Sequence, residues 1–289
     1  MTVLVLSGGG IWAAAGIGAA AALRDMDVAV DAYVGSSAGA LVGVLLALGH
    51  TPETLADAAQ ALKSSPVRPA WQAWAASLVH AKLPLGLATP ARLWERLAGV
   101  LHDREWADLE TPVWIVATSL SQRQAMVFGP GEEPVRTDLG SRMHLGWGGT
   151  SIPLKTALRA STAVPGLLAP VSALGQVLVD GGVVDDYPVD VAAWMGATHI
   201  IGVWVDESPR WTLPHSGHLG HLMSASLSTM IRELSVVRQR QVTIPRVDIR
   251  IEMENGHRVF HRTAEIVERG YHLTRDHGRE ILEGQDRRA

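Results

Sequence analysis

The 289-residue chain has no cysteine, which excludes disulfides and thiolate metal sites. Nor has it a surplus of positive charge: 25 Lys and Arg against 29 Asp and Glu leave a formal net charge of −4, with no Lys/Arg stripe along the sequence. Nucleic acid is therefore not an expected partner. The first basic residue is Arg24. The apolar start thus lacks the cationic region of a secretory signal, and a cytoplasmic setting with transient contact to a membrane surface is expected. Charged residues are also missing from 3–23 and from 32–52, each about the 20 residues needed to cross a bilayer. Turn residues interrupt both, at Ser7–Gly10 and at Gly35–Gly39. Each stretch therefore reads as a buried strand followed by a buried helix. Phenylalanine and tyrosine are scarce, two and three residues beside ten tryptophans.

What is present is apolar: 47% of the residues are hydrophobic, enough for one sizeable core. The most informative segment is Tyr33-Val34-Gly35-Ser36-Ser37-Ala38-Gly39, which closes an apolar run and opens the charge-free stretch 38–48. It is a G-x-S-x-G elbow with Ser37 at the apex. A strand that turns sharply into a helix strains its apical residue, and Gly35 and Gly39 keep the neighbourhood nearly free of side chains. Ahead of it, Leu4-Val5-Leu6 runs into Ser7-Gly8-Gly9-Gly10 and an alanine-rich segment. Consecutive glycines at a helix start present backbone N–H groups to an anion. Further on, Val177-Leu178-Val179 ends in Asp180-Gly181-Gly182, an acid at a strand end before a tight turn. A nucleophile (Ser37), oxyanion donors (Gly8, Gly9, Gly10) and a base (Asp180) make up the requirements of acyl transfer.

Strands are expected near 2–6, 31–35, 112–118, 124–128, 176–180, 198–205 and 247–251. Helices are expected near 12–25, 38–48, 52–63, 90–99, 153–162, 188–195, 218–241 and 263–282. This alternation predicts a mostly parallel sheet covered on both faces. Gly8, Ser37 and Asp180 all fall at strand ends, where such sheets hold ligands. Residues 51–110, broken by Pro66, Pro69, Pro84 and Pro90, read as a helical lid inserted in a single domain spanning 1–289. Residues 129–152 read as a mobile loop.

These motifs together resemble the patatin-like phospholipase family, which joins a glycine-rich oxyanion loop, a G-x-S-x-G serine and a D-G-G aspartate in a serine–aspartate dyad. Ala160-Ser161-Thr162-Ala163-Val164-Pro165-Gly166 is similar to the family's A-S-x-A-x-P-G segment, and Asp180 to Val189 to its D-G-G-x-x-x-N-x-P stretch. The resemblance implies a three-layer α/β/α fold and hydrolysis of lipid acyl esters, phospholipid, lysophospholipid or simpler esters, by Ser37 and Asp180. It implies no cofactor and no metal. Two departures stand out. Trp12 and Ala13 occupy positions where the family has a cation and a glycine, and Asp186 stands where it more often has asparagine. Trp12, on the first helical turn, is expected to be partly exposed beside the site.

Other residues carry weaker readings. Asp185 and Asp186 lie in a polar turn and are expected to be solvated or turn-capping. His199 opens a strand, and His215, His218 and His221 cluster before a long helix without an acidic partner, so neither a histidine triad nor a metal site is expected. Trp71, Trp74 and Leu78 share a helical face flanked by Arg68 and Lys82, which suits packing of the lid onto the core or contact with lipid. Gly8 to Ala13 formally fits the dinucleotide fingerprint G-x-G-x-x-A, but Asp31 precedes the second strand instead of ending it. A catalytically weak lipid-binding relative is the remaining alternative.

Overall fold

The computed structural model describes residues 1–60, 68–69, 88–89, 101, 103–134, 143–207, 219–253 and 262–286. Most of the expected lid, with Trp71, Trp74, Leu78 and Lys82, lies outside the described residues, as do His215 and His218.

The core is a nine-stranded sheet among these residues. Its strands are β1 (Thr2–Leu6), β2 (Ala32–Ser36), β5 (Val113–Ser119), β6 (Gln124–Phe128), β7 (Leu145–Gly149), β8 (Val171–Ala173), β9 (Gln176–Asp180), β10 (His199–Glu207) and β11 (Arg246–Met253). Arg68–Pro69 (β3) and Ala88–Thr89 (β4) form a separate two-residue ribbon. The main order is β11-β10-β1-β2-β5-β6-β7, with β9 beside β5 and β8 beside β9. From β11 to β5 every neighbour is parallel.

Side-chain alternation along these strands builds the layers. Leu4 and Leu6 point to one face, where they pack with Ile17, Ala19 and Leu23 of α1 (Ala15–Asp25) and Ile266 of α8 (Thr263–Asp276). On the same face Ile115 and Ala117 meet α2 (Ser37–Ala47) and α4 (Leu154–Ser161). Val3, Val5 and Val34 point the other way, onto Val189, Val191 and Trp194 of α6 (Val189–Trp194). The short α5 (Gly182–Asp185) and the long α7 (Leu219–Gln239) cover that second face. Helices on both faces of a mostly parallel sheet make the expected three-layer α/β/α architecture. The set is completed by α3 (Pro52–Gln60) and α9 (Gly278–Asp286).

Three expectations change. The loop read at 129–152 contains β7, paired parallel to β6. Its sequence, Leu-Gly-Trp-Gly-Gly, has little strand propensity. It pairs because Gly148 leaves no Cβ where the Phe128 ring lies. The helix read at 12–25 opens as a 3-10 turn over Gly10–Ala14, and the one read at 263–282 is two helices broken at His277. Finally, the strand bearing Asp180 runs antiparallel to β5.

Candidate active site

Strand β5 is the bench on which the site is assembled. Its residues Val113–Val116 pair with β2, ending in Ser36 beside Val116. Its next residues, Ala117–Ser119, pair with β9, ending in Asp180 beside Ala117. Since β2 is parallel and β9 antiparallel to β5, the two strands run towards each other along one edge and stop at adjacent positions. The last residue of β9 therefore faces the turn that follows β2.

That turn is the elbow. Ser36 is extended (φ −119°, ψ 141°) and Ser37 enters the left-handed region at φ 52°, which is costly for a residue with a side chain. Two close approaches show why glycines flank it. A Cβ on Gly39 would overlap the backbone carbonyls of Leu6 and Ser7, and one on Gly35 would press on Ala40. The strained serine is held by a hydrogen bond from its own N–H to Ser161 Oγ at 2.9 Å, and Ser161, fully buried, in turn donates to Val116 O at 2.6 Å. Ser161 belongs to a segment that sequence comparison singled out, but its contact with Ser37, 124 residues away, has no local signal. Replacing it by alanine leaves the Ser37 N–H without its acceptor. Ser161→Ala is expected to lower kcat on an ester about tenfold with little change in KM, measured by steady-state kinetics, since a lost neutral hydrogen bond is worth about 1 kcal/mol.

Ser37 Oγ donates to Asp180 Oδ2 at 2.6 Å. The other carboxylate oxygen, Oδ1, accepts from Gly182 N–H at 2.8 Å, which fixes the rotamer. Asp180 is buried, and burial raises its pKa to about 6, the hydrogen bonds from Ser37 and Gly182 opposing the rise. A carboxylate so poised is a proton acceptor near neutral pH. The N-terminus of α2 begins at Ser37 itself and favours negative charge there.

The glycine run lies against this pair. Gly9 (φ 116°) and Gly10 (φ 60°) adopt conformations that favour glycine. A Cβ on Gly8 would collide with Asp186 Oδ1 and stand 3.3 Å from Ser37 Cβ, so the run passes directly beside the elbow. Gly8 N–H is already given to Asp186 O at 3.0 Å. Of the three expected oxyanion donors, Gly8 is thus committed. Gly9 and Gly10 N–H have no protein acceptor among the described residues. Asp186 is partly buried against this run, a bracing position that corrects its reading as a solvated turn residue.

Trp12 is also corrected. It is 5% exposed and packs in the core with Leu6 and Val205, because the 3-10 turn directs it inward. Placing a guanidinium there buries an unpaired charge. Trp12→Arg is expected to lower Tm by about 5–10 °C with no gain in kcat/KM on anionic over neutral esters. Thermal melts alongside ester kinetics check it.

Asp185 is not solvated either. It is fully buried, its pKa pushed well up by burial, and lies 3.3 Å from Arg238 of α7, which also reaches Asp190 Oδ2 at 2.6 Å and Met143 O at 3.1 Å. This cluster ties the segment after Asp180 to α7. His199 is buried beneath α9, its ring where a Cβ on Gly284 would go, and it pairs with Thr2 at the start of β1, at the opposite end of the sheet from the glycine run. Asp31 accepts from Thr2 N–H at 2.6 Å, at the start of β1 and so at the opposite end of the sheet from the glycine run, which removes the acid a dinucleotide reading needs. Among the described residues no group of three His, Asp or Glu is placed to hold a metal. None of their helices is long and apolar enough to cross a membrane.

Fold and geometry together describe an α/β protein with an elbow serine in contact with a buried acid beside a glycine-rich helix start. The chain belongs to the patatin-like phospholipase family, whose profile matches residues 4–193. It is 28% identical over 214 residues to an uncharacterized NTE family protein of Mycobacterium tuberculosis, covering 71% of this chain and 49% of that protein. It is 26% identical over 224 residues to patatin-like phospholipase domain-containing protein 7 of Rattus norvegicus, covering 74% of this chain and 14% of that one. The chain therefore spans half or less of these relatives. The fold is similar to that of VipD from Legionella pneumophila, with a TM-score of 0.50 at 13% identity over 98% of this chain and 66% of VipD.

Proposed function

We propose that the chain is a serine hydrolase of lipid acyl esters. The observation that carries this reading is the 2.6 Å contact between Ser37 Oγ and a buried Asp180 carboxylate. Asp180 accepts the serine proton as Oγ attacks the ester carbonyl. The N–H groups of Gly9 and Gly10 hold the oxyanion of the tetrahedral intermediate, where removing one donor typically costs about 3–4 kcal/mol. Collapse expels the alcohol, protonated from Asp180, and leaves an acyl-Ser37. Water, deprotonated by the same carboxylate, then releases the acid. The chemistry needs no metal or organic cofactor, and the substrate is met at a membrane surface in transient contact.

The pH profile follows from the acid. The base must be ionised, so kcat/KM is expected to rise with pH through about 6 and level off above it. The decisive experiment combines fluorophosphonate labelling with hydrolysis of an ester series of increasing chain length, run beside a phospholipid and a lysophospholipid. Labelling of Ser37 and turnover of at least one lipid ester are expected. A folded protein that neither labels nor hydrolyses overturns the reading.

A further inference from the structure

Not one of the chain's 29 acids lies in 111–131 or in 139–179. These two stretches supply β5, β6, β8, α4 and β9 up to the residue before Asp180. They form the side of the site that holds the acid, and antiparallel pairing carries that side outward. Asp180 is level with Ala117, and Leu178 with Ser119. Gln176, where β9 begins, therefore stands about 13 Å beyond the acid, past the ends of β1 and β2 at which the site opens.

The projecting edge is apolar. Leu174 forms the tip of the β8–β9 hairpin. Behind it Leu120 and Val177 lie opposite each other, Leu120 N–H donating to Val177 O at 2.9 Å. Val164 and Leu167 belong to the loop after α4, where Ala163 O accepts from Asp180 N–H at 3.0 Å. All five side chains are between 38% and 50% exposed. Two exposed cations accompany them, Arg123 in the β5–β6 turn and Arg159 in the last turn of α4. Leu174 is the most telling of the five. With Gly175 it makes a two-residue turn in which both have positive φ, 53° and 69°. Such a turn favours asparagine or aspartate before the glycine. A leucine there gains neither turn propensity nor burial within its own fold.

We propose that this edge seats the protein on an anionic lipid surface. Leu174, Leu120 and Val164 enter the acyl boundary, while Arg123 and Arg159 meet the head groups. The charge pattern complements such a surface, since cations stand beside exposed apolar groups and neither stretch carries an acid to repel phosphate. The edge is built from turns and projects, so it offers a folded partner little area but enters a fluid layer freely. The proposal rests on the reading of Ser37 and Asp180 as a lipid hydrolase, because it brings the acyl layer to the mouth of that site. Its test reads binding instead of turnover.

Flotation of the full chain carrying Ser37→Ala with vesicles of phosphatidylglycerol and phosphatidylcholine in equal parts is expected to show binding. That binding weakens on pure phosphatidylcholine and between about 0.1 and 0.5 M salt. Leu174→Asn is expected to lower vesicle affinity about tenfold while Tm stays level or rises, because the new residue suits the turn. Arg123→Gln is expected to lower it about fivefold. In the chain that keeps Ser37, Leu174→Asn is expected to leave kcat/KM on a short soluble ester unchanged and to slow hydrolysis of vesicle phospholipid about tenfold. A chain that ignores both vesicles, or binds them equally well with Leu174→Asn and Leu120→Ser in place, overturns the proposal whether or not the parent hydrolyses esters. So does self-association that Leu174→Asn abolishes while vesicle binding is unchanged, which would make the edge a contact between copies. Vesicle binding lost in these variants of a chain that neither labels nor hydrolyses upholds the surface and removes the hydrolase reading alone.

Discussion

Asp180→Asn is expected to cut kcat by about a thousandfold and, at the same time, to stabilise the fold. The kinetic loss follows from the proposed role. An asparagine keeps the size of the side chain and can still accept from Gly182 N–H, but its amide cannot take the proton from Ser37 Oγ, and general-base catalysis is worth about 10²–10⁴. The gain in stability follows from burial. Asp180 titrates near 6 in the folded protein against 3.8 for the ordinary residue. A raised carboxyl pKa means that the folded state binds the proton more tightly, so stability falls as pH rises from about 4 to 6, and the full cost is carried above 6. Two units correspond to about 3 kcal/mol. The asparagine variant should therefore melt a few degrees above the parent at pH 8, with the gain shrinking towards pH 4. Ser37→Ala is the companion control, expected to abolish hydrolysis and fluorophosphonate labelling in a folded protein. If the two proteins keep the same difference in Tm at pH 5 and pH 8, Asp180 is not the buried acid described here.

The second large effect is expected at Arg238. Its guanidinium is buried with Asp185 and Asp190, both at zero exposure. Removing one partner of a buried ion pair strands charge in the interior and typically costs about 3–5 kcal/mol. Arg238→Met is expected to show that loss in a denaturant titration, as a lower midpoint at unchanged slope. Adding Asp190→Asn to the same protein should restore a large part of it, because the stranded carboxylate is then gone. Since Asp185 lies five residues after Asp180, activity per folded molecule should also fall in Arg238→Met. A double variant no more stable than the single one would show that packing, not charge, accounts for the loss.

The site was legible where its chemistry is local. The elbow needs small residues at 35 and 39, the proposed oxyanion run needs consecutive glycines and the buried acid sits at the end of an apolar run, so each left a mark within a few positions. The alternating apolar runs likewise marked seven of the nine main-sheet strands. What escaped depends on partners distant in the chain. Nothing in residues 176–180 tells that their strand runs antiparallel to β5, and nothing near Asp185 points to Arg238, 53 residues on. Leu145–Gly149 reads as loop because its glycines, needed for close packing on β6, are poor strand formers. Trp12 looked accessible on the first helical turn, but a tighter 3-10 start turns it into the core.

The head-to-head meeting of β2 and β9 on β5 has a temporal side. Serine and acid are 143 residues apart in the chain, and β9 is registered on β5 by only three residue pairs. As the polypeptide leaves the ribosome, β1 and β2 can pair early, while the Ser161 hydroxyl that holds the elbow and the proposed proton acceptor are both still unmade. Loop closure over that separation is slow compared with local helix formation, so Ser37 spends the first stage of the molecule's life as an ordinary, unactivated hydroxyl. Under the proposed mechanism, nucleophilicity is thus among the last properties the folding chain acquires. Pulse-labelling with a fluorophosphonate during refolding should show reactivity lagging behind the recovery of helical circular dichroism.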